Sequence, residues 1–317
     1  MGIRFDLYEV RETPQAGMGM FATKLIPAGT RLICEEALIQ LHEDKDLPDL
    51  WKAAEALSPE KRAELLSLAA YNRRHEETDW IPAMRATYTG PSEEFDNLLD
   101  RVLHVWRIYE TNRFTVRDAA GNRNHMGLFP NAARMNHSCD PNVFHRHNHN
   151  IMRLTIHALK DIQPGEEIYT SYIDICHPTP ERRRILRHWG FKCRCLACTR
   201  PKTGSDLRRR KLEELTAKMK RNEAKRADRE WQQWDYANAL SLMEEIIGLM
   251  EEEKLNESDT LGEVLENAAE YAMALGWWKL ARDWAARAVE IEERCLGTDS
   301  SEYLNAVNLL ESAKLER

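Results

Sequence analysis

Hydrophobic positions change their period three times along the chain. Over residues 5–41 they come in short runs broken by turns ("FDLYEV", "AGMGMFAT", "LIPAGTRLICEEALIQL"), with a tight reversal at Pro27-Ala28-Gly29. Residues 47–74 take helical spacing instead. There Ser58-Pro59-Glu60 reads as a cap with proline at the first helical position, which splits the segment into two helices. Another helix is predicted over 92–109, where Phe95, Leu98, Leu99, Val102, Val105 and Trp106 recur at three- and four-residue intervals. Strand signals return at "NRFTV" and "IMRLTIHAL", and "DIQPGEEIYTSYID" repeats the device of a Pro-Gly turn before a strand. A short Arg-rich helix, "PERRRILRHW", follows, and from about residue 207 the spacing is helical throughout. In that tail Gly276, Trp278, Ala281, Ala285 and Ala288 are placed to let two antiparallel helices pack closely, as in a tetratricopeptide pair.

At 317 residues and 43% hydrophobic content, the chain is long enough for two ordinary domains. The first ten residues, "MGIRFDLYEV", are charged early and lack the apolar run of a secretory signal. Asp6 stands where a myristoylation motif needs Ser or Thr, and no apolar run approaches membrane-spanning length. An intracellular protein of nucleus or cytoplasm, a monomer without a membrane, is expected, its seven cysteines serving as thiols or ligands. A net charge of −7 speaks against a general grip on nucleic acid. Its distribution is uneven: residues 181–230 hold 18 Lys/Arg against 7 Asp/Glu, and residues 231–317 hold 7 against 19. Both blocks read as solvated helix faces, the sharper alternative being an acidic surface that attracts a lysine-rich protein.

The cysteines change the picture. "NHSCDPN" at 136–142, taken alone, reads as a tight loop with an inert thiol. However, "CRCLAC" sets Cys193, Cys195 and Cys198 as C-x-C-x2-C, a spacing that lets three thiolates converge on one tetrahedral metal. A catalytic zinc would keep water at the fourth position, and a structural one would recruit another thiolate. Cys139 is the natural fourth ligand, because Cys34, Cys176 and Cys295 have no ligand cluster around them. The triplet His145-x-His147-x-His149 could share a strand face, but it sits by an Asn-rich tip without a matching partner and reads as exposed polar residues.

Four stretches in order, "GMGMFA", "GLFPNAARMNHSCDPN", "GEEIYTSYID" and "GFKCRCLAC", resemble the SET-domain lysine methyltransferases, most of all the SET-and-MYND (SMYD-like) subgroup and its fungal relatives. The resemblance covers 5–40 and 105–200. It implies an α+β fold: a β-rich SET domain with a helical insertion, a four-cysteine zinc post-SET segment, and an all-α tetratricopeptide-like C-terminal domain. The implied divisions are 1–40 and 105–180 for the SET domain, 41–104 for the insertion, 181–204 for the zinc segment and 205–317 for the tail. Residues 41–100 contain no cysteine, so the zinc-binding MYND finger of the subgroup is replaced, and partner binding through it is not carried over.

Residue by residue, the resemblance implies that Gly17, Met18 and Gly19 let the backbone approach S-adenosyl-L-methionine. Asn136 and His137 would bind its amino-acid and adenine parts, and Phe191 would stack on the adenine. Asn112 would sit at the donor and Phe114 at the lysine channel, with plain strand packing as the rival role for Phe114. Tyr172 would face the methyl group, Trp189 would wall the channel, and Tyr169, on the other strand face, would pack. The zinc would be structural, and the partner a lysine-containing protein, histone or otherwise. A catalytically silent SET scaffold that binds partner proteins through its helical tail is the alternative.

Overall fold

The structure is a computed structural model, and it describes residues 6–14, 17–71, 81–200, 203–228, 231–255 and 259–315. The insertion's residues 72–74, expected to continue a helix, lie outside the described residues. A ribbon of β1 (Tyr8–Thr13) and β2 (Gly17–Ala22) opens the chain, followed by β3 (Arg31–Glu35) and β4 (Ile39–His42). The insertion then supplies α1 (Leu47–Glu55), α2 (Pro59–Leu66), α3 (Ile81–Thr87) and α4 (Ser92–Asn112). Asp46 caps α1 by accepting from Asp49 N, and Ser58 caps α2 by accepting from Lys61 N, with Pro59 at the first helical position. α4 buries Phe95, Val102, Val105 and Ile108, and packs on α1 and α2.

The central strands are β5 (Arg113–Val116), β6 (His125–Leu128), β7 (Asn136–His137), β8 (Val143–Asn148), β9 (Arg153–Ala158) and β10 (Tyr169–Thr170). They form two antiparallel three-stranded sheets, β4-β6-β5 and β3-β9-β8, and a short parallel pair, β10-β7. One core gathers Met20, Leu32, Ile33, Phe129, Ile156 and Ile168 between these pieces. After the sheets come α5 (Thr179–Leu186) and the single turn α6 (Leu196–Thr199). The tail helices follow: α7 (Ser205–Asp228), α8 (Gln233–Glu253), α9 (Asp259–Ala274), α10 (Trp278–Leu296) and α11 (Ser301–Leu315).

The tail has its own core, and that core extends into the β region through Leu159 and Cys176, with Phe144 and Ile175 packed against it. α10 lies across β8 and β9. Polar contacts tie the α10–α11 turn to the same sheet. Arg31 makes a two-pronged ion pair with Asp299, and Asn148 Nδ2 donates to Asp299 Oδ1 at 3.0 Å. Arg117 and Arg146 both meet Glu302. Two acids of the tail's acidic block, Asp299 and Glu302, are therefore engaged by arginines of the β region. This packing also corrects the reading of the histidine triplet. His147 is buried and accepts from Arg117 N, His145 Nδ1 faces Thr170 Oγ1 at 2.7 Å, and His149 Nε2 faces Ser301 Oγ. The strand looked polar, but its His145 and His147 pack on Phe114, Phe129 and Thr170, while Phe144 and Arg146 on its other face meet the tail.

Candidate functional site

The parallel pair β7–β10 brings the two most distinctive stretches of sequence side by side. Asn136 stands opposite Tyr169, and His137 opposite Thr170. The pairing continues through Ser138 N, which donates to Thr170 O at 2.9 Å. Asn142 then acts as a backbone substitute: its Oδ1 accepts from Tyr169 N at 2.7 Å and its Nδ2 donates to Glu167 O at 2.9 Å. On the other side of Asn136 the buried Glu35 carboxylate accepts from Asn131 N, Asn131 Nδ2 and Ala132 N. Both ends of the segment are thus fixed by residues distant in sequence.

Cys139, at the end of that segment, meets the loop of Cys193, Cys195 and Cys198. The sulfurs of Cys139, Cys193, Cys195 and Cys198 lie within 4.8 Å of one another, with Cys139 Sγ and Cys198 Sγ 3.5 Å apart. A tetrahedral zinc with Zn–S bonds of about 2.3 Å sets its sulfurs about 3.8 Å apart. Four thiol donors at this spacing, three of them buried, fit zinc and no disulfide is formed. α6 does the local work: its single turn puts Cys195 and Cys198 on one side, with Cys198 N donating to Cys195 O. Arg182 of α5, 1% exposed, lies beside the cluster with Nη2 3.9 Å from Cys198 Sγ. A buried guanidinium offsets the excess negative charge of four thiolates around a dication.

The imidazole of His137 is turned into the protein. Its Nδ1 accepts from Tyr172 N at 3.0 Å, so the ring proton sits on Nε2, which faces Cys139 Sγ at 3.2 Å. Burial pushes its pKa down to about 4, keeping the ring neutral. Tyr172, Trp189 and Phe191 gather around it, with ring centroids 5.4 Å between His137 and Tyr172, 5.4 Å between Tyr172 and Trp189, and 6.0 Å between His137 and Phe191. Tyr172 Oη donates to Met135 O at 2.7 Å, and burial pushes the phenol up from its ordinary value. Trp189 Nε1 donates to Thr111 O at the end of α4. Gly190 has φ +75°, and a Cβ there would lie 2.0 Å from the Tyr71 ring, so only glycine turns the chain here and leaves Phe191 partly exposed.

Across from this cluster runs β2. Asn136 Nδ2 donates to Met18 O at 3.2 Å and to Glu167 Oε1 at 2.8 Å. A Cβ on Gly19 would stand 2.6 Å from Glu167 Oε1 and 3.0 Å from Asn136 Nδ2. Gly17, Met18, Gly19, Asn136, His137, Tyr172 and Phe191 therefore occupy one neighbourhood. Asn112 and Phe114 lie apart in their contacts. Asn112 Nδ2 donates to Ala69 O and Ile108 O, tying the segment after α2 to the end of α4, and the Phe114 ring packs edge-on to Phe129 and His145. Tyr169 does more than pack: its hydroxyl donates to Glu167 Oε2. Glu35, Asn142, Glu167 and Arg182 went unmarked in the sequence reading. Only Arg182, in an Arg-rich helix next to four cysteines, carried a sequence signal.

The family model of the SET domain matches residues 17–173. Just under half of the chain is therefore similar to a SET domain. That span runs from the first glycine of β2 through Tyr172 and contains the β7–β10 pair. Among curated relatives, the histone-lysine N-methyltransferase set5 of Schizosaccharomyces pombe is 34% identical over 212 residues, 65% of this chain and 56% of that protein. The N-lysine methyltransferase SMYD2 of Gallus gallus is 37% identical over 134 residues, 42% of this chain and 30% of that protein. SMYD2-B of Danio rerio is 44% identical over 89 residues, 28% of this chain and 20% of that protein. The chain thus spans about half or less of the curated relatives it matches. A solved SET domain, that of LSMT bound to lysine and AdoHcy, aligns with 98% of this chain and 85% of its own at 12% identity and TM-score 0.32, too loose to add to the assignment.

Proposed function

We propose that this chain is a protein-lysine N-methyltransferase that takes its methyl group from S-adenosyl-L-methionine. The observation that carries the reading is the convergence of Asn136, His137, Tyr172 and Phe191 on the Gly17–Gly19 strip, inside a SET domain and braced by four thiols. Relatives named for histone-lysine and N-lysine methylation support it.

Bound donor would supply a methyl group activated by a sulfonium. The protein's task is then to hold the acceptor amine in line at about 3–3.5 Å and to keep it neutral. A lysine amine of ordinary pKa about 10.4 is mostly protonated at neutral pH, and an apolar surround lowers that value. Tyr172 and Trp189 form the aromatic side of such a surround. The Met135 carbonyl and Tyr172 hydroxyl, already bonded to each other, are polar groups that the amine can meet there. Zinc, when bound, would be structural, fixing the loop that carries Trp189 and Phe191 against β7.

The first substrate to try is a histone, because the relative from S. pombe is named for that activity, and a nuclear or cytoplasmic enzyme suits it. The tail, read as tetratricopeptide-like on its α9–α10 hairpin, would contribute protein-substrate selectivity. Labelled-methyl transfer into histones and fractionated lysate, with mass spectrometry of the product, tests the proposal. Methyl label on lysine is the expected result. Tight donor binding with no transfer to any protein would return the scaffold reading.

A further inference from the structure

Glu167 is a half-buried carboxylate beside the glycine strip. Its backbone is locked to β2, since it bridges Phe21 and the next residue, Ile168, donates its N–H to Met20 O at 2.7 Å. Its side chain is held by two neutral donors, Asn136 Nδ2 on Oε1 and the Tyr169 hydroxyl on Oε2. No lysine, arginine or histidine among the described residues forms an ion pair with it. Position 19 is glycine, and any larger residue would strike Oε1. Two carboxylate oxygens offer about four acceptor sites, of which two are filled. The Met18 carbonyl, also bonded to Asn136, adds another acceptor at the same corner.

An acceptor-rich corner with a fixed, uncompensated negative charge suits a cation with several N–H donors, and a primary ammonium has three. We infer that Glu167 receives the α-ammonium of the methyl donor's amino-acid moiety, with Asn136 and Tyr169 as the residues that aim its carboxylate. This rests on the donor reading of the site. The acceptor lysine is the wrong cation for the position, because a facing carboxylate would keep its amine protonated, the reverse of what attack requires. It also explains why Tyr169, off the Tyr172 face, carries a hydroxyl directed at Glu167. Burial, hydrogen bonding to Glu167 and its charge raise the Tyr169 phenol from its ordinary value, so it stays a donor across the working pH range.

The test is calorimetric binding to wild type, Glu167→Gln and Glu166→Gln. The probes are S-adenosylmethionine, S-adenosylhomocysteine and the analogue of S-adenosylhomocysteine without its α-amino group. Glu166, exposed and one residue away, controls for loss of a charge. The expected result is that Glu167→Gln binds both amino-bearing ligands about tenfold more weakly or worse, the loss of a charge-assisted hydrogen bond. The deaminated analogue should bind wild type and Glu167→Gln alike, and Glu166→Gln should match wild type throughout. A loss confined to S-adenosylmethionine would place the sulfonium at Glu167 and overturn the inference, as would equal losses for all three probes. If Glu167→Gln does not fold, wild type alone decides: equal affinity for S-adenosylhomocysteine and its deaminated analogue overturns it. Failure of wild type to bind either natural ligand would instead sink the donor reading itself.

Discussion

His137 Nε2 stands 3.2 Å from Cys139 Sγ, while the opposite nitrogen of the same ring accepts from Tyr172 N. One imidazole thus joins a sulfur of the four-cysteine cluster to the backbone of the residue expected to face the reacting methyl group. Its two ends can be separated by substitution. In His137→Asn the amide oxygen sits near the place of Nδ1 and can still accept from Tyr172 N, but nothing donates to the thiolate. In His137→Gln the longer amide can donate near Cys139 and abandons Tyr172. The Asn variant should lose zinc affinity about 10–100-fold, as loss of a supporting ligand partner does, measured by chelator competition. The Gln variant should hold zinc and lose methylation rate. Identical behaviour of the two would mean that the ring only fills space.

The ligand set gives a simpler expectation. Cys139→Ser should release the metal on elemental analysis and weaken donor binding, although Cys139 is far in sequence from Cys193. Full zinc occupancy in that variant would remove Cys139 from the site.

The two tyrosines should separate rate from affinity. Tyr172→Phe removes a hydroxyl that donates to Met135 O in a closed site. Loss of such a preorganised polar group costs about a hundredfold or more in rate, with little change in donor affinity. Tyr169→Phe is not a silent control, since its hydroxyl holds Glu167. It should raise the donor KM and leave kcat nearly untouched. Steady-state kinetics on a methylated protein distinguish the patterns, and a fall in kcat of the same size in both variants would contradict them.

What was legible in the sequence is what local chemistry writes there. Pro59 after Ser58 marks a helix start because proline lacks an N–H that the first turn does not need. C-x-C-x2-C marks a thiol cluster because few other uses need three thiols so close, and Cys139 joins it. Asn142, Glu167 and Arg31 left no such mark. Arg31 finds Asp299 across 268 residues, and Asn142 works as a strand substitute only because β10 folds beside it. The histidine triplet shows the same limit in reverse. Alternating polar residues on a strand suggest one wet face, yet His145 and His147 pack on Phe114 and Phe129 while Phe144, on the other face, meets the tail, and polarity alone reveals neither neighbour.

The clamp at the start of α11 should govern how firmly the tail sits. Its carboxylate Asp299 is held below its ordinary pKa, chiefly by the hydrogen bond from Arg31. A depressed acid adds stability above the unfolded pKa, about 3.9, and loses it as pH falls through the folded value. Asp299→Asn should therefore destabilise the protein at pH 7, and the difference from wild type should shrink as the pH falls below the unfolded value. Hydrogen exchange at pH 7 should locate the loosening in α10 and α11. Removing the tail altogether is a harsher test, because Leu159, Phe144 and Ile175 would be uncovered and aggregation is expected. Uniform exchange in wild type and Asp299→Asn would show that apolar packing alone seats the helices.

Glu292 makes the opposite pH prediction. It is 2% exposed in α10, and its Oε2 has no hydrogen-bond partner among the described residues. Burial first, then the charge of Glu266, pushes its pKa up to about 8, with Glu302 and Glu263 adding to the rise and Arg146 opposing it. The folded carboxyl keeps its proton to about pH 8. In the unfolded chain an ordinary glutamate gives its proton up near pH 4.3. Between those values the folded state binds more protons, so stability falls as pH rises, by at most about 1.4 kcal/mol per unit from this one group. Gln matches the protonated acid in shape and never ionises. Glu292→Gln should therefore leave the Tm near wild type at pH 5 and raise it at pH 8, the difference growing through the interval. Glu266, pushed up to about 7 mainly by burial, contributes a parallel slope that the variant retains, so its own curve should still decline, less steeply. A Tm difference that stays constant from pH 5 to pH 8 would mean that Glu292 is ionised in the fold throughout, with Arg146 as its counter-charge.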